Sequence, residues 1–488
     1  MITDELIFRI KQQFAFVPTR QQALALQTFA RFMIDREPRS VMILRGNAGT
    51  GKTALAGAIV RTMAALQQKI LLLAPTGRAA KVFALNSGHA AFTIHHQIYR
   101  QKALEPDGGT FDLNFNRHGD TLFMIDECSM IANAGFADSA FGSGRLLDDL
   151  VNFVYSGRNC RMVLIGDKAQ LPPVGENQSP ALSANVLEQY DLKVYQCDLD
   201  EVLRQSQQSG ILYNATRIRQ LIAHQMLAQP PRIRFHGFAD IRMVPGNELI
   251  ETLNSSYAEV GIDETMVITR SNKRANIYNQ GIRNSILDRE GELGGGDMLM
   301  VVKNNYFWFG ADKQPPAETA AAQQPFIANG DRAVVQRVRN IREVYGFRFA
   351  DVSLQFPDYD RRELQATVIL DTLQSEAPAL TPQQNEQLFR AVMADYADIP
   401  RKRERLQKMR QDRFLNALQV KYAYASTCHK AQGGQWAHVY IDQGNIADAA
   451  LTSDYMHWLY TAFTRATERL YLVNWPEAQM LAKSSNTD

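Results

Sequence analysis

One run of residues in the sequence has the types and spacing of a phosphate-binding loop. It follows an apolar segment, precedes a helix-like stretch, and consists of Gly46-Asn47-Ala48-Gly49-Thr50-Gly51-Lys52-Thr53. In this pattern the glycines let backbone N–H groups wrap the phosphates of a nucleotide, the lysine reaches the β- and γ-phosphates, and the threonine hydroxyl is a ligand of Mg²⁺. The whole run is therefore predicted to bind a nucleotide, with Lys52 acting in catalysis and Thr53 holding the metal ion.

An acidic pair supplies the partner that such a loop needs. Asp126-Glu127 directly follows the apolar segment 122–125. At this place Asp126 would hold Mg²⁺, and Glu127 would orient and deprotonate the water that attacks the γ-phosphate. Acidic pairs are also common caps at strand ends, but the loop upstream favours the catalytic interpretation. We therefore predict ATP and Mg²⁺ as the cofactors.

The elements that must position these groups follow an α/β pattern. Short apolar segments, each followed by turn residues and a helix-like stretch, are typical of buried parallel strands. These segments are 41–45, 70–75, 122–126 and 162–166, with a second set at 266–269, 422–426, 438–442 and 470–474. The pattern predicts two doubly wound α/β domains, whose ligands bind at the carboxyl ends of the strands.

Between the later strands the sequence changes character. Segments 296–309 and 328–341 read as β-strands, with Asn329-Gly330 as a turn signal. A helical stretch at 382–419 contains the run 401–413, which has seven basic residues and two acidic ones. We interpret this run as a solvated helix face in preference to a nucleic-acid contact.

Composition and charge exclude several classes of protein. The 488 residues include 53 Lys and Arg against 51 Asp and Glu, so the formal charge is +2, and 45% of the residues are hydrophobic. This composition argues against disorder and excludes a histone-like polycation, although a local basic groove could still bind nucleic acid. The four cysteines form no CxxC pair, and no apolar run approaches the ~20 residues of a membrane span. We expect a cytoplasmic protein with no membrane partner.

A series of short motifs follows along nearly the whole chain. They are Ala74-Pro75-Thr76-Gly77-Arg78-Ala79-Ala80, Thr93-Ile94-His95, Asp126-Glu127-Cys128-Ser129-Met130, Gly166-Asp167-Lys168-Ala169-Gln170-Leu171-Pro172-Pro173-Val174-Gly175, Val202-Leu203-Arg204-Gln205, Thr427-Cys428-His429-Lys430-Ala431-Gln432-Gly433 and Tyr460-Thr461-Ala462-Phe463-Thr464-Arg465-Ala466. In wording and in order, these motifs resemble those of superfamily 1 helicases, in the 5′→3′ translocating branch of RecD and Dda (superfamily 1B).

The resemblance implies roles for residues that would otherwise be ordinary. Thr19 and Gln22 resemble the family's Q-motif, in which Gln22 would read the adenine edge. Gln170 resembles the glutamine that senses the γ-phosphate and couples it to the strand-binding groove. Arg204 and Arg465 resemble arginine fingers, which stabilise the charge of the transferring phosphoryl group. For either arginine alone, a surface ion pair would be the usual interpretation.

The resemblance also implies a path for a single strand. Hydroxyl, imidazole and backbone donors suit contacts with phosphates, which carry no sequence information. For each residue separately, helix capping or turn chemistry is the alternative. The residues that match family positions along this path are Pro75, Thr76, Thr93, His95, Thr427 and His429.

Two insertions complete the predicted organisation. Residues 100–120 are predicted to form a pin (domain 1B) that separates the duplex, with Phe111 and Phe115 stacking on the terminal base pair or, alternatively, anchoring the insertion to the core. Residues 297–420 match the position of an SH3-like 2B domain. The predicted domains are 1A at 1–99 and 121–200, the pin at 100–120, 2A at 201–296 and 421–488, and 2B at 297–420.

The function implied is that of a helicase. The resemblance predicts an ATP-driven monomer that moves 5′→3′ on single-stranded DNA and opens duplexes at junctions between single and double strands. The alternatives are an RNA helicase of the Upf type, a translocase that strips proteins without unwinding, and a binding module with an inactive ATPase. The complete set of Lys52, Thr53, Asp126, Glu127, Gln170, Arg204 and Arg465 argues against the last of these.

Overall fold

The computed structural model of the chain consists of two compact units. It describes residues 2–101, 111–135, 141–201, 208–226, 230–305, 307–308, 327–357, 361–444 and 452–481. The first unit comprises Met1–Arg100, Phe111–Gly246 and Gln432–Asp488, and the second comprises Gln101–Thr110 and Asn247–Ala431.

The helices and strands alternate along most of the chain. Within the described ranges, no helix is both long enough and apolar enough to span a membrane. The helices are α1 (Ile2–Gln13), α2 (Arg20–Ile34), α3 (Lys52–Ala65), α4 (Gly77–Ser87), α5 (Ile94–Ile98), α6 (Leu146–Ser156), α7 (Ala184–Glu188), α8 (Gly210–Ala223), α9 (Leu249–Val260), α10 (Asn272–Ser285), α11 (Pro382–Asp395), α12 (Lys402–Met409), α13 (Cys428–Ala431) and α14 (Ser453–Phe463). The strands are β1 (Ser40–Gly46), β2 (Lys69–Ala74), β3 (Ala91–Thr93), β4 (Tyr99–Gln101), β5 (Phe111–Leu113), β6 (Thr121–Ile125), β7 (Arg161–Gly166), β8 (Lys193–Leu199), β9 (Ile241–Val244), β10 (Thr265–Thr269), β11 (Met298–Val301), β12 (Arg332–Val344), β13 (Phe347–Phe356), β14 (Arg362–Ile369), β15 (Leu418–Tyr422), β16 (Ala425–Thr427), β17 (Trp436–Asp442) and β18 (Ala466–Val473).

The first unit contains a six-stranded parallel sheet in the order β3-β2-β6-β7-β1-β8. Alternate residues of β1 enter different cores, with Met42 and Leu44 packing with α1 to α3 and Val41 and Ile43 packing with α6. A strand buried on both faces must be apolar throughout, which explains why β1 is a continuous apolar run. Because β6, β7 and β1 are neighbours, the loops that follow them open at the same edge of the sheet.

The C-terminal part of the first unit adds a second group of parallel strands. β17 pairs with β18, and β18 pairs with β9, both in parallel. The rings of Tyr440 and Tyr471 stack across the first of these pairs, with centroids 4.4 Å apart. α8 and α14 contact each other and β18.

The second unit combines a parallel pair of strands with a closed barrel. β10 pairs with β16 in parallel, and α10 packs against both strands. β11 to β15 close into the barrel, and a cluster that includes Phe349, Phe389 and Met409 packs α11 and α12 onto it. The predicted fold class is confirmed: the protein is α/β, with parallel sheets and a β-rich insertion that forms a small closed barrel.

The basic run 401–413 forms only a short helix, α12, and then turns into the barrel. Met409 is completely buried, and the guanidinium of Arg413 donates to the hydroxyl of Thr367 at 2.8 Å. Arg401 and Glu404, by contrast, form an exposed ion pair. The run is therefore attached to the barrel at its C-terminal end.

The predicted domain boundaries stay predictions. The two compact units describe a different division of the chain, with breaks after Gly246 and Ala431.

Candidate ATP-hydrolysis site

The predicted phosphate-binding loop connects β1 to α3. Gly49 and Gly51 both have φ of +76°, a backbone conformation that side chains disfavour. At Gly46 a Cβ atom would lie 2.4 Å from Cγ of Lys52 and 2.9 Å from the hydroxyl of Thr50, so only glycine fits there. Because α3 begins at Lys52, its free N–H groups and dipole favour an anion at the loop. The cradle therefore fits the phosphates of a nucleotide.

The loop is held from inside by its own residues and from outside by α2. Lys52 Nζ donates to the carbonyl of Asn47 at 3.3 Å, and the Thr50 hydroxyl donates to the same carbonyl at 2.8 Å. Gln22, 1% exposed, donates to the carbonyl of Thr50 at 2.9 Å and accepts from the N–H of Thr19, which caps α2. Both ends of the Gln22 amide are thus bonded within the protein, a structural role that the sequence did not indicate. Its contact with adenine stays a prediction.

The acidic pair follows β6, at the same edge of the sheet as the loop. Glu127 has φ of +52° and its N–H donates to Oδ1 of Asp126 at 2.8 Å. Burial, together with the charge of Glu127, raises the pKa of Asp126 above its usual range. A divalent cation would oppose this effect, because it favours the ionised carboxylate. Asp126 and the hydroxyl of Thr53, the second residue of α3, therefore suit Mg²⁺.

Two more of the predicted catalytic residues, Gln170 and Arg465, form a row with Glu127 of the acidic pair. In the orientation that satisfies both ends of its amide, Gln170 donates to Oε2 of Glu127 at 3.0 Å and accepts from Nη2 of Arg465 at 3.1 Å. Gln170 and Arg465 are 6% and 3% exposed, so these bonds form away from water. The row joins a carboxylate that could activate water to a cation that could stabilise phosphoryl charge. Arg204, the other predicted finger, lies outside the described residues.

A further set of contacts around this row was not predicted. Side chains of α14 and of Gln432 bond to the segment 167–171, which we name the Gln170 loop. The motifs that contain Gln432, Tyr460 and Thr461 were visible in the sequence, but spacing alone does not show which backbone atoms these residues reach. The contacts are Tyr460 with Asp167 and with the N–H of Ala48, Thr461 with the N–H of Leu171, Gln432 with the carbonyl of Leu171, and His457 with the carbonyl of Ala169.

Comparisons with known proteins agree with this geometry. Two family models match the chain, an AAA domain at residues 19–235 and a UvrD-like helicase C-terminal domain at residues 422–473. The ATP-dependent DNA helicase Dda of Enterobacteria phage T4 is 24% identical over 459 residues, which are 90% of this chain and 95% of Dda. Together these matches support a helicase of superfamily 1B.

Two other similarities extend over different lengths of this helicase. The ATP-dependent RecD2 DNA helicase of Deinococcus radiodurans is 31% identical over 140 residues, which are 28% of this chain and 16% of RecD2. The crystal structure of a Pif1 helicase from Bacteroides, in complex with ADP-AlF3 and single-stranded DNA, aligns over 96% of this chain and 95% of that chain, with 13% identity and a TM-score of 0.48.

The residues predicted to contact the single-stranded nucleic acid are distributed over both compact units. Thr76 and Thr93 cap α4 and α5, accepting from the N–H groups of Ala79 at 3.2 Å and His96 at 3.3 Å. Each hydroxyl keeps its own hydrogen to donate to a phosphate oxygen, so capping and strand contact are compatible. Pro75 and Thr76 follow β2, and Thr93 ends β3. Because Ala74 of β2 pairs with Thr93, these three residues lie at the same edge of the sheet.

The other predicted strand contacts belong to the second unit. Thr427 ends β16 and is half-buried, while His429 lies in α13 and is exposed. The end of a strand followed by a short helix again places both residues at a carboxyl edge. Their contact with nucleic acid stays a prediction.

His95 and the two predicted pin residues differ in their surroundings. Phe141 contacts both His95 and Phe111, with ring centroids 5.1 Å and 4.5 Å apart, and burial lowers the pKa of His95 to about 4. Phe115 is 69% exposed, and the guanidinium of Arg100 lies 4.9 Å from its ring centroid. Phe111 therefore packs against the core, and Phe115 is accessible. Residues 102–110, the rest of the predicted pin tip, lie outside the described residues.

Proposed function

We propose that this helicase hydrolyses Mg-ATP to move 5′→3′ along single-stranded DNA and to unwind duplex DNA. The observation that carries the proposal is the row formed by Glu127, Gln170 and Arg465 beside the phosphate-binding loop. Dda and RecD2, which this chain resembles, are named as ATP-dependent DNA helicases. We further propose that the protein acts as a monomer in the cytoplasm, on single strands and on junctions between single and double strands.

The proposed hydrolysis assigns one task to each side chain. Mg²⁺, when bound, neutralises charge on the β- and γ-phosphates, and Thr53 and Asp126 would hold it. Glu127 orients the attacking water and accepts its proton, while Lys52 and Arg465 stabilise the charge on the transferring phosphoryl group. Gln170 bonds to both Glu127 and Arg465 and so keeps the base and the cation at a fixed separation.

The proposed movement needs contacts that grip and release the strand in each cycle. Neutral hydroxyl donors at Thr76 and Thr93 can bond to phosphates without the long-range attraction of lysine or arginine. Binding through such donors depends less on counterion release and is reversed more easily. This supports a translocating motor over a storage protein that holds DNA tightly.

The experiment that tests the proposal compares duplexes with different tails. Duplexes that carry a 5′ or a 3′ single-stranded tail, made of DNA or RNA, are incubated with the protein, ATP and Mg²⁺, and strand separation is measured. We expect unwinding of the 5′-tailed DNA. Unwinding of the 3′-tailed DNA would reverse the polarity, preference for RNA tails would favour the Upf-type alternative, and strand-stimulated hydrolysis without unwinding would favour the translocase.

Lys52→Ala is the control for this experiment. Removing the ammonium group leaves the loop backbone intact but takes away the cation at the β- and γ-phosphates. We expect ATP hydrolysis to be lost while single-stranded DNA still binds. Loss of both activities together would mean that the substitution had damaged the fold.

A further inference from the structure

The hydroxyl of Tyr460 joins the phosphate-binding loop to the Gln170 loop. It donates to Oδ2 of Asp167 at 2.6 Å and accepts from the N–H of Ala48 at 3.0 Å. The side chain is 1% exposed, so neither bond competes with water. Burial, with the nearby charge of Asp167, raises the pKa of Tyr460 well above its usual value, so the hydroxyl stays a donor at any functional pH.

Other residues of α14 bond to the backbone of the Gln170 loop. The Thr461 hydroxyl accepts from the N–H of Leu171 at 2.8 Å, and Nδ1 of His457 donates to the carbonyl of Ala169 at 2.9 Å. Arg465, just after the helix, donates through Nε to the carbonyl of Thr461 at 3.0 Å. A shift of α14 would therefore move Arg465 and the Gln170 loop together.

Tyr460 also connects α14 to the phosphate-binding loop. Its hydroxyl accepts from the N–H of Ala48, a residue of that loop, and so opposes movement of α14 along the loop. We propose that Tyr460 is a positioning residue for ATP hydrolysis, whose hydroxyl keeps Arg465 and Gln170 in register with the phosphates held by the loop. This inference rests on the proposed function.

The expected effect follows from the precision that phosphoryl transfer requires. Displacement of a reacting or stabilising group by about 1 Å can lower a rate about 100-fold. Nucleotide binding should change little, because the loop backbone and Lys52 supply the phosphate contacts. Loss of the hydroxyl should therefore lower kcat far more than it changes KM.

The test is Tyr460→Phe, with Tyr455→Phe as the matched control. Tyr455 lies on the same helix, is 1% exposed, and donates its hydroxyl to Oε1 of Gln443 at 2.7 Å, away from the phosphate-binding loop. ATP hydrolysis is measured at saturating single-stranded DNA, with thermal unfolding of both variants. We expect kcat to fall about 10-fold to 100-fold for Tyr460→Phe only, with KM for ATP within about twofold. Equal kcat in the two variants would overturn this inference and leave the proposed function unaffected.

Two further measurements keep the inference falsifiable. Because Tyr460 is proposed to act through Arg465 and Gln170, Tyr460→Phe should lower kcat less in the Arg465→Ala background than in the unmodified protein, whereas fully additive effects would overturn the inference. Should Tyr460→Phe fail to fold, Thr461→Val removes the neighbouring bond to Leu171 and is expected to lower kcat in the same way. Absence of strand-stimulated hydrolysis in the unmodified protein would overturn the proposed function and this inference with it.

Discussion

The side-chain amide of Gln170 touches both a candidate base and a candidate arginine finger. One end donates to Glu127 and the other accepts from Arg465, and the residue is nearly inaccessible to solvent. A neutral amide can bond to an anion and a cation at once, which neither a carboxylate nor an ammonium group could do. Gln170 therefore links the candidate base to the candidate arginine finger.

We predict that Gln170→Ala lowers kcat for ATP hydrolysis about 100-fold, the usual loss when one preorganised polar group is removed from an active site. The affinity for ADP should change by less than about twofold, because the amide does not belong to the phosphate-binding loop. Steady-state hydrolysis with saturating single-stranded DNA and titration with a fluorescent ADP derivative measure the two quantities.

Gln419→Ala is the control for this prediction. Gln419 is also buried, at 7% exposed against 6% for Gln170, and its amide accepts from the N–H of Leu380 at 2.9 Å. It lies in the barrel strand β15. We expect a loss of stability but unchanged kcat. A similar fall in kcat for both variants would mean that Gln170 acts only by supporting the fold.

At the scale of elements, a buried ion cluster secures the start of the barrel. Asp297, fully buried just before β11, accepts from Nε of Arg283 at 3.0 Å and from Nη1 of Arg289 at 2.8 Å. The hydroxyl of Tyr424 and the N–H of Gly294 donate to the same carboxylate. α10, the following loop and the strand junction after β15 therefore share one anion.

We predict that Asp297→Asn lowers the free energy of unfolding by about 3–5 kcal/mol, because it leaves the buried guanidinium of Arg283 without its counterion. Denaturant unfolding followed by tryptophan fluorescence gives this quantity. Glu404→Gln, which breaks the exposed pair with Arg401, should change it little. A small effect of Asp297→Asn would show that water or another acid compensates.

The same cluster predicts the direction of a pH effect. Burial alone would raise the pKa of Asp297, but hydrogen bonds from Arg283, Gly294 and Arg289 outweigh it and hold the pKa below the usual 3.8. A carboxyl group whose pKa is lowered by folding stabilises the protein above its unfolded pKa and loses that contribution as pH falls through the folded value. The unmodified protein should therefore lose stability below about pH 4, and Asp297→Asn should lose less.

Sequence reasoning succeeded at those elements where one physical signal dominates. The strands β1, β2, β6 and β7 were predictable because burial on both faces requires continuous apolar runs, and the sheet order then brings Lys52 and Asp126 to one edge. The contacts of Gln22 and Tyr460 were not predictable, because they join residues far apart in the chain through single backbone atoms. Local spacing carries no information about such long-range pairs.

For the whole molecule, the formal charge of +2 suits a protein that must release the bound nucleic-acid strand in every cycle of hydrolysis. Unwinding then requires that hydrolysis be coupled to a group that separates base pairs. Of the two aromatic residues predicted for that task, Phe111 stacks on Phe141 at 4.5 Å, whereas Phe115 is 69% exposed. An accessible aromatic ring can replace the stacking of a terminal base pair, worth ~1–3 kcal/mol per base.

We predict that Phe115→Ala lowers the rate of unwinding severalfold while strand-stimulated ATP hydrolysis stays unchanged. Phe111→Ala, the matched control, should instead lower the thermal unfolding midpoint, because it opens a cavity beside Phe141. Unwinding of a 5′-tailed duplex and hydrolysis are measured with the same preparations, so that the base pairs opened per ATP can be compared. Normal unwinding by Phe115→Ala would assign strand separation to other residues, and a parallel fall in hydrolysis would place Phe115 in the coupling of ATP to strand binding.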